Sequence, residues 1–208
     1  MVKGTMSKKT KNNFKNLARF LFEIGTLRKI PRAHMQTLLT NDLSDNIASH
    51  SFRVSIIGWF LAQEEKADPY KVTIMCLLHD VDEARSGDQN WIHKRYVKVF
   101  DDEISKDQLE SLPQKNKLRS IVEEYKERKT KEAKIAKDAD LIDQILLIKE
   151  YIWQGNKEAE GWLKKGKGAN PNTHVKMLKS KTAKKLAQKI INQEPGDWWK
   201  NIWTEKRR

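Results

Sequence analysis

The chain is expected to be all-α, a single domain of bundled helices, and three observations lead there. Apolar residues recur at helical spacing in every long segment, and no convincing two-residue alternation marks a strand. One stretch, Lys131 to Trp153, is apolar nearly all round, as in a helix enclosed by others. No internal repeat is present, and 208 residues suit one domain with short terminal extensions.

Residues 1–12 are polar and basic and are read as a flexible N-terminus. A first helix is expected from about Asn13 to Gly25, with Leu17, Leu21 and Ile24 inward and Gly25 placed to stop it. Ile30-Pro31-Arg32 then makes a sharp turn. Asp42 to Asn46 offers several N-cap candidates for a second helix, Ile47 to Glu65. His50, Val54, Ile57 and Leu61 share one face of it, which turns His50 inward. The third helix, Pro69 to Glu83, has proline in its first turn. Val72, Met75, Cys76, His79 and Glu83 share a face that starts apolar and ends in an imidazole and a carboxylate.

A fourth helix is expected over Asn90 to Phe100, followed by an acidic connection, Asp101 to Gln108. Ser111 to Lys131 reads as a long charged helix with a thin stripe of Leu118, Ile121, Val122 and Tyr125. The enclosed helix, Lys131 to Trp153, carries Asp138, Asp140 and Asp143 and stops at Gly155-Asn156. A Gly/Lys/Asn loop (Lys164 to Pro171) leads to an amphipathic helix, Val175 to Gln193. Pro195-Gly196 breaks the chain before a Trp-rich basic element, residues 194–208. Packing onto the body or onto a partner subunit is the expectation for Trp198, Trp199 and Trp203. The domain proper is thus residues 13–193.

Composition narrows the function classes. Lysine and arginine total 41 against 28 acidic residues, a formal charge of +13. Such a surface attracts anions such as nucleic acid, anionic membrane or phosphorylated small molecules. The charge is spread rather than held in one block, as on a solvated face. No run approaches transmembrane length, no signal peptide pattern precedes the domain, and the lone Cys76 excludes a disulfide framework. A soluble cytoplasmic protein that does not engage a membrane is the expectation.

Several predicted helices offer inward or terminal polar groups: His50, the pair His79-Asp80, Glu83, and one aspartate among Asp138, Asp140 and Asp143. A carboxylate on an apolar helix face is costly unless paired or metal-bound. Two imidazoles and two carboxylates suit a divalent first-row ion with exchangeable positions. The bland alternative is scattered polar residues on helices that do not converge. His34 and His174 lie in polar surroundings and His93 on an amphipathic helix; none is given a role.

The order of these residues resembles the HD-domain metal-dependent phosphohydrolases. Four blocks resemble the 5′-deoxynucleotidase branch of that superfamily: Leu27-Arg28-Lys29-Ile30-Pro31-Arg32, Asn46 to Val54, His79-Asp80-Val81-Asp82-Glu83-Ala84-Arg85-Ser86-Gly87-Asp88, and Lys137-Asp138-Ala139-Asp140. The resemblance implies a helical HD-domain bundle and one divalent ion (Mn, Co, Fe, Ni, Zn or Mg) held by His50, His79, Asp80 and Asp140. It selects Asp140 through the Lys-x-x-Asp pattern of Lys137 and Asp140. It implies catalytic roles for Glu83 and Asp88, and substrate contacts from Arg32, Asp88 and Lys94. A homodimer acting on a nucleotide is implied, with hydrolysis of a deoxynucleoside 5′-monophosphate as the activity. Two departures stand out: Ser49 replaces an acidic residue before the first histidine, and Ala33-His34 follow the arginine where bacterial relatives carry tryptophan. A related phosphorylated or cyclic nucleotide is the alternative substrate. Nucleic-acid binding through the basic stretches is the alternative of another class.

Overall fold

The computed structural model of the chain describes residues 8–163, 173–200 and 202, and the side chains of residues 8–12 and Thr173 are not described. The Lys164 to Pro171 loop and Trp203 lie outside these residues. Among them no strand forms. A lone antiparallel bridge joins Pro31 to Asn46.

Helix α1 spans Lys8–Ile24, and a 3-10 turn over Gly25–Lys29 bends the chain away from it. Phe20 and Ile24 pack inward against Leu27, Ile47 and Val81. Leu21, expected on the inner side, is exposed with Phe14 and Phe22, whereas Leu17 is half-buried. A short helix α2 (Met35–Leu38) follows.

Helix α3 (Ile47–Glu64) starts at Asn46, whose side chain accepts the Ser49 N–H. That satisfies one of the unpaired donors of the first turn. Asp68 caps α4 (Pro69–Leu78) the same way. The two pack closely at Gly58, where a Cβ would lie 2.7 Å from Cys76 Sγ and 3.0 Å from Val72 Cγ1. The expected third helix is not continuous to Glu83. It ends at Leu78, turns through His79 to Asp82, and resumes as α5 (Glu83–Ser86), which Gly87 stops at φ +71°.

Helix α6 covers Trp91–Tyr96, short of Phe100. The acidic connection proves helical: α7 spans Asp101–Leu109, with Asp101, Asp102 and Glu103 in its first turn. Acids are favourable there because they face the unpaired N–H groups. Helix α8 (Lys115–Glu127) is shorter at both ends than expected and stops at Arg128, which is left-handed at φ 56°.

Helix α9 (Lys131–Trp153), capped by Thr130, is the axis of the molecule. It touches α3, α4, α8, α10, α11 and α12. Ile135, Ala139, Ile142 and Ile145 are buried on it among Val54, Val72, Met75 and Leu178. Its far end packs Leu147, Ile148 and Tyr151 on Leu38 and Ala159. Helix α10 (Lys157–Leu163) was not foreseen. The expected helix from Val175 to Gln193 is two pieces, α11 (Thr173–Met177) and α12 (Lys181–Asn192). Asp138 of α9 causes the break: its two carboxylate oxygens accept the N–H groups of Lys179 (2.8 Å) and Ser180 (2.7 Å). Trp198 and Trp199 contact each other edge to face and stay exposed rather than packing on the body.

Candidate active site

Three helices deliver the central groups. His50 sits in the first turn of α3, His79 and Asp80 follow the last turn of α4, and Asp140 lies on α9. His50 Nε2 is 3.3 Å from His79 Nε2, 3.4 Å from Asp140 Oδ1 and 3.5 Å from Asp80 Oδ2. Asp80 Oδ2 is also 3.0 Å from His79 Nε2. One ligand atom each from His50, His79 and Asp140 fall within 4.8 Å of one another, a cluster able to hold a metal ion.

The hydrogen bonds behind these groups decide what they present. His79 Nδ1 lies 2.7 Å from the Cys76 carbonyl oxygen. A carbonyl only accepts, so Nδ1 carries the proton and Nε2 offers a lone pair. His50 Nδ1 is 2.6 Å from Asp143 Oδ2 and is oriented in the same way. Asp143 is held by the Arg53 guanidinium, which also reaches Glu150 Oε1 at 2.7 Å. Two imidazole nitrogens 3.3 Å apart, flanked by two carboxylates, call for positive charge between them: a proton on His50 Nε2 supplies it in the metal-free chain, and a divalent ion can take that proton's place. Imidazoles oriented by a carboxylate or carbonyl are the usual supports of metal ligands. The donor set fits a divalent first-row ion.

The charges are tightly balanced. Burial and Arg32 oppose charge on His50, yet hydrogen bonds with Asp140, Asp143 and Asp80 hold its pKa well above the usual value. Burial works against ionised Asp80, but His79 and His50 hold it well below the carboxylate range. Asp140, likewise opposed by burial, is held low by Lys137, whose Nζ donates to it at 2.5 Å, and by the histidines. Glu83 differs. Burial, then Asp80 and Asp88, push it up to about 10, and its buried Oε2 has no hydrogen-bond partner.

His79, Asp80, Glu83 and Asp140 line a cavity of about 510 Å³, with His50 buried behind them. Arg32, Asp88 and Lys94, the remaining sequence-derived candidates, all line it. Arg32 is fixed by the backbone bonds around the Pro31 bridge and by Asp88, whose Oδ2 is 3.4 Å from its Nε and accepts the Ala33 N–H at 2.6 Å. Asn90 caps α6 and donates to the Ala33 carbonyl oxygen at 2.9 Å, closing the same loop.

Several contributors escaped sequence reasoning. His34 is buried and paired with Asp45 at 2.6 Å. Trp91 and Trp162 rings stand 5.0 Å apart, and His174 stacks on Trp162 at 6.0 Å with 10° between planes. All three line the cavity. Burial lowers His174 to about 4, so this row is uncharged at neutral pH. Tyr125 packs edge-on against His79. Asp143 was among the three aspartates offered for the site, and it serves behind His50; Arg53, which escaped notice, had a usable sign in lying one turn beyond His50.

The architecture and this cluster together define an HD domain, and the chain belongs to that family, whose pattern matches residues 24–181. Solved structures share the fold. A Magnetospirillum magnetotacticum protein named as a predicted metal-dependent phosphohydrolase is 21% identical with a TM-score of 0.67, covering 90% of this chain and 95% of its own. The PH0347 protein of Pyrococcus horikoshii is 23% identical with a TM-score of 0.66, covering 84% and 96%. A conserved hypothetical protein of Pyrococcus furiosus is 22% identical with a TM-score of 0.65, covering 85% and 99%. No curated protein matches the chain.

Proposed function

We propose that the protein is a metal-dependent phosphohydrolase that removes phosphate from a phosphomonoester, and that its substrate is a deoxynucleoside 5′-monophosphate. The observation that carries this reading is the convergence of two oriented imidazole lone pairs and two carboxylates beneath a cavity lined by Arg32. The naming of the Magnetospirillum relative supports the reaction class. The uncharged row of Trp91, Trp162 and His174 supports a nucleotide, because it offers flat faces for a base to stack on.

A divalent ion held by His50, His79, Asp80 and Asp140 would supply the charge that polarises a phosphoryl oxygen and acidifies a water. The chain's own groups do the rest. Arg32 orients the phosphate through charge-assisted hydrogen bonds. Asp88 holds that arginine and its loop in place. In hydrolysis a water oxygen bonds to phosphorus, the bond from phosphorus to the 5′-oxygen breaks, and a proton moves from the water to the leaving oxygen. Glu83 is assigned that transfer: ionised, it takes the water's proton; protonated, it returns one to the 5′-oxygen. Its high pKa means it serves as a base only when cationic charge in the site outweighs Asp80 and Asp88. The products are the deoxynucleoside and inorganic phosphate.

Phosphate release over a nucleotide panel, each with several divalent ions, tests the reading. Glu83→Ala should keep metal and nucleotide binding yet lose roughly 100- to 10,000-fold in turnover. Arg32→Ala should damage KM and kcat together. No phosphate release from any 5′-monophosphate with any ion would overturn the assignment.

A further inference from the structure

Arg128 is not used by the chemistry above, and its surroundings are unusual. It lines the cavity, and its guanidinium lies 3.3 Å from the centre of the Tyr125 ring, which packs against His79. Arg128 Nη1 is buried without a hydrogen-bond partner. No carboxylate pairs with this arginine among the described residues. Gln144 of α9 shows the same condition: it is 7% exposed, lines the cavity, and its Nε2 has no partner. Buried donors left unpaired carry their full desolvation penalty. Here the unpaired ones gather around one cavity. Arg32 Nε also lacks a hydrogen-bond partner, but its charge is answered: Asp88 Oδ2 lies 3.4 Å away, and Asp80, Asp140 and Glu83 add negative charge around it.

We propose that Arg128 is a second anion-binding residue of this cavity, taking a phosphate oxygen of a phosphomonoester dianion beside Arg32. The inference rests on reading the cavity as a phosphate-ester site. A guanidinium stacked on an aromatic face keeps its N–H edge free for planar recognition of an oxyanion. Two guanidiniums, one neutralised by its carboxylate and one not, favour a doubly charged phosphomonoester over a singly charged diester.

The backbone gives a clean test. At φ 56° Arg128 occupies a conformation that glycine adopts more readily. Arg128→Gly therefore removes the guanidinium without burdening the fold, and Arg128→Gln removes the charge while keeping most of the side-chain length. Calorimetric titration of metal-loaded protein with inorganic phosphate is the measurement. Both variants should bind phosphate roughly 10- to 100-fold more weakly than wild type, the range for lost charge-assisted hydrogen bonds. Arg128→Gly should melt no lower than wild type. Unchanged phosphate affinity in both variants overturns the proposal, even if the enzyme hydrolyses nucleotides. Arg128-dependent phosphate binding in a protein that hydrolyses none would keep the anion site and remove the phosphatase assignment.

Discussion

Asp143 shows how much a single carboxylate behind a ligand can carry. It accepts from His50 Nδ1 and so sets which nitrogen of that ring faces the cluster. Asp143→Ala leaves the His50 ring free to change tautomer and leaves Arg53 with Glu150 as its remaining carboxylate partner. Divalent-ion affinity should fall roughly 10- to 100-fold, as for other losses of ligand-orienting partners, measured by competition with a metallochromic chelator. This group also answers the Ser49 departure, since the imidazole is oriented from α9 rather than from its own neighbour in sequence. Glu83 gives a stability test of the electrostatics. Its folded pKa, about 10, lies above the unfolded value. The unfolded chain therefore ionises first as pH rises, and stability is lost from about pH 4.5 upward, by at most ~1.4 kcal/mol per pH unit. Glu83→Gln removes that loss. In chelator-treated protein its melting temperature should exceed wild type by more at pH 8 than at pH 5. Equal differences at both pH values would show that Glu83 is not held protonated.

At the scale of elements, the site depends on how closely α3 and α4 approach. Gly58 faces Cys76 and Val72, so Gly58→Ala must push the helices apart. Overpacking of this kind typically costs about 1–3 kcal/mol. Denaturant unfolding should show that loss, and metal affinity should drop too, because His79 follows α4 directly. The same scale explains what the sequence made legible. Helical periodicity exposed α3, α4, α8 and α9, and among the N-cap candidates Asp42 to Asn46 it is Asn46 that starts α3. His50, His79, Asp80 and Asp140 were singled out before any geometry, chiefly through the resemblance. Periodicity could not show that α3, α4 and α9 meet, nor separate the three aspartates of α9. Two of these, Asp140 and Asp143, lie one turn apart and serve one site, whereas Asp138 faces away and caps the break before α12. That break was hidden because a side chain distant in sequence creates it. Helix α7 was misread because three acids in a row look like a loop, though they are stabilising at a helix start.

Across the whole molecule, the formal charge of +13 contrasts with the acids gathered at the site. The positive surface should draw anionic substrate inward. Under conditions where capture limits the rate, kcat/KM should fall as salt rises from about 0.01 to 0.15 M, over which the screening length shortens from ~30 Å to ~8 Å. Among the described residues no helix is long and apolar enough to cross a membrane. What the fold supplies is a rigid axis, α9, against which two other helices bring their histidines. The claim on which everything else rests is that these helices meet to hold an ion. Elemental analysis of purified wild type beside His79→Ala, both checked for helical content, tests it most directly. Wild type should carry about one divalent ion per chain after loading, and His79→Ala should carry almost none while keeping its helices. Equal metal content in the two proteins would contradict the site.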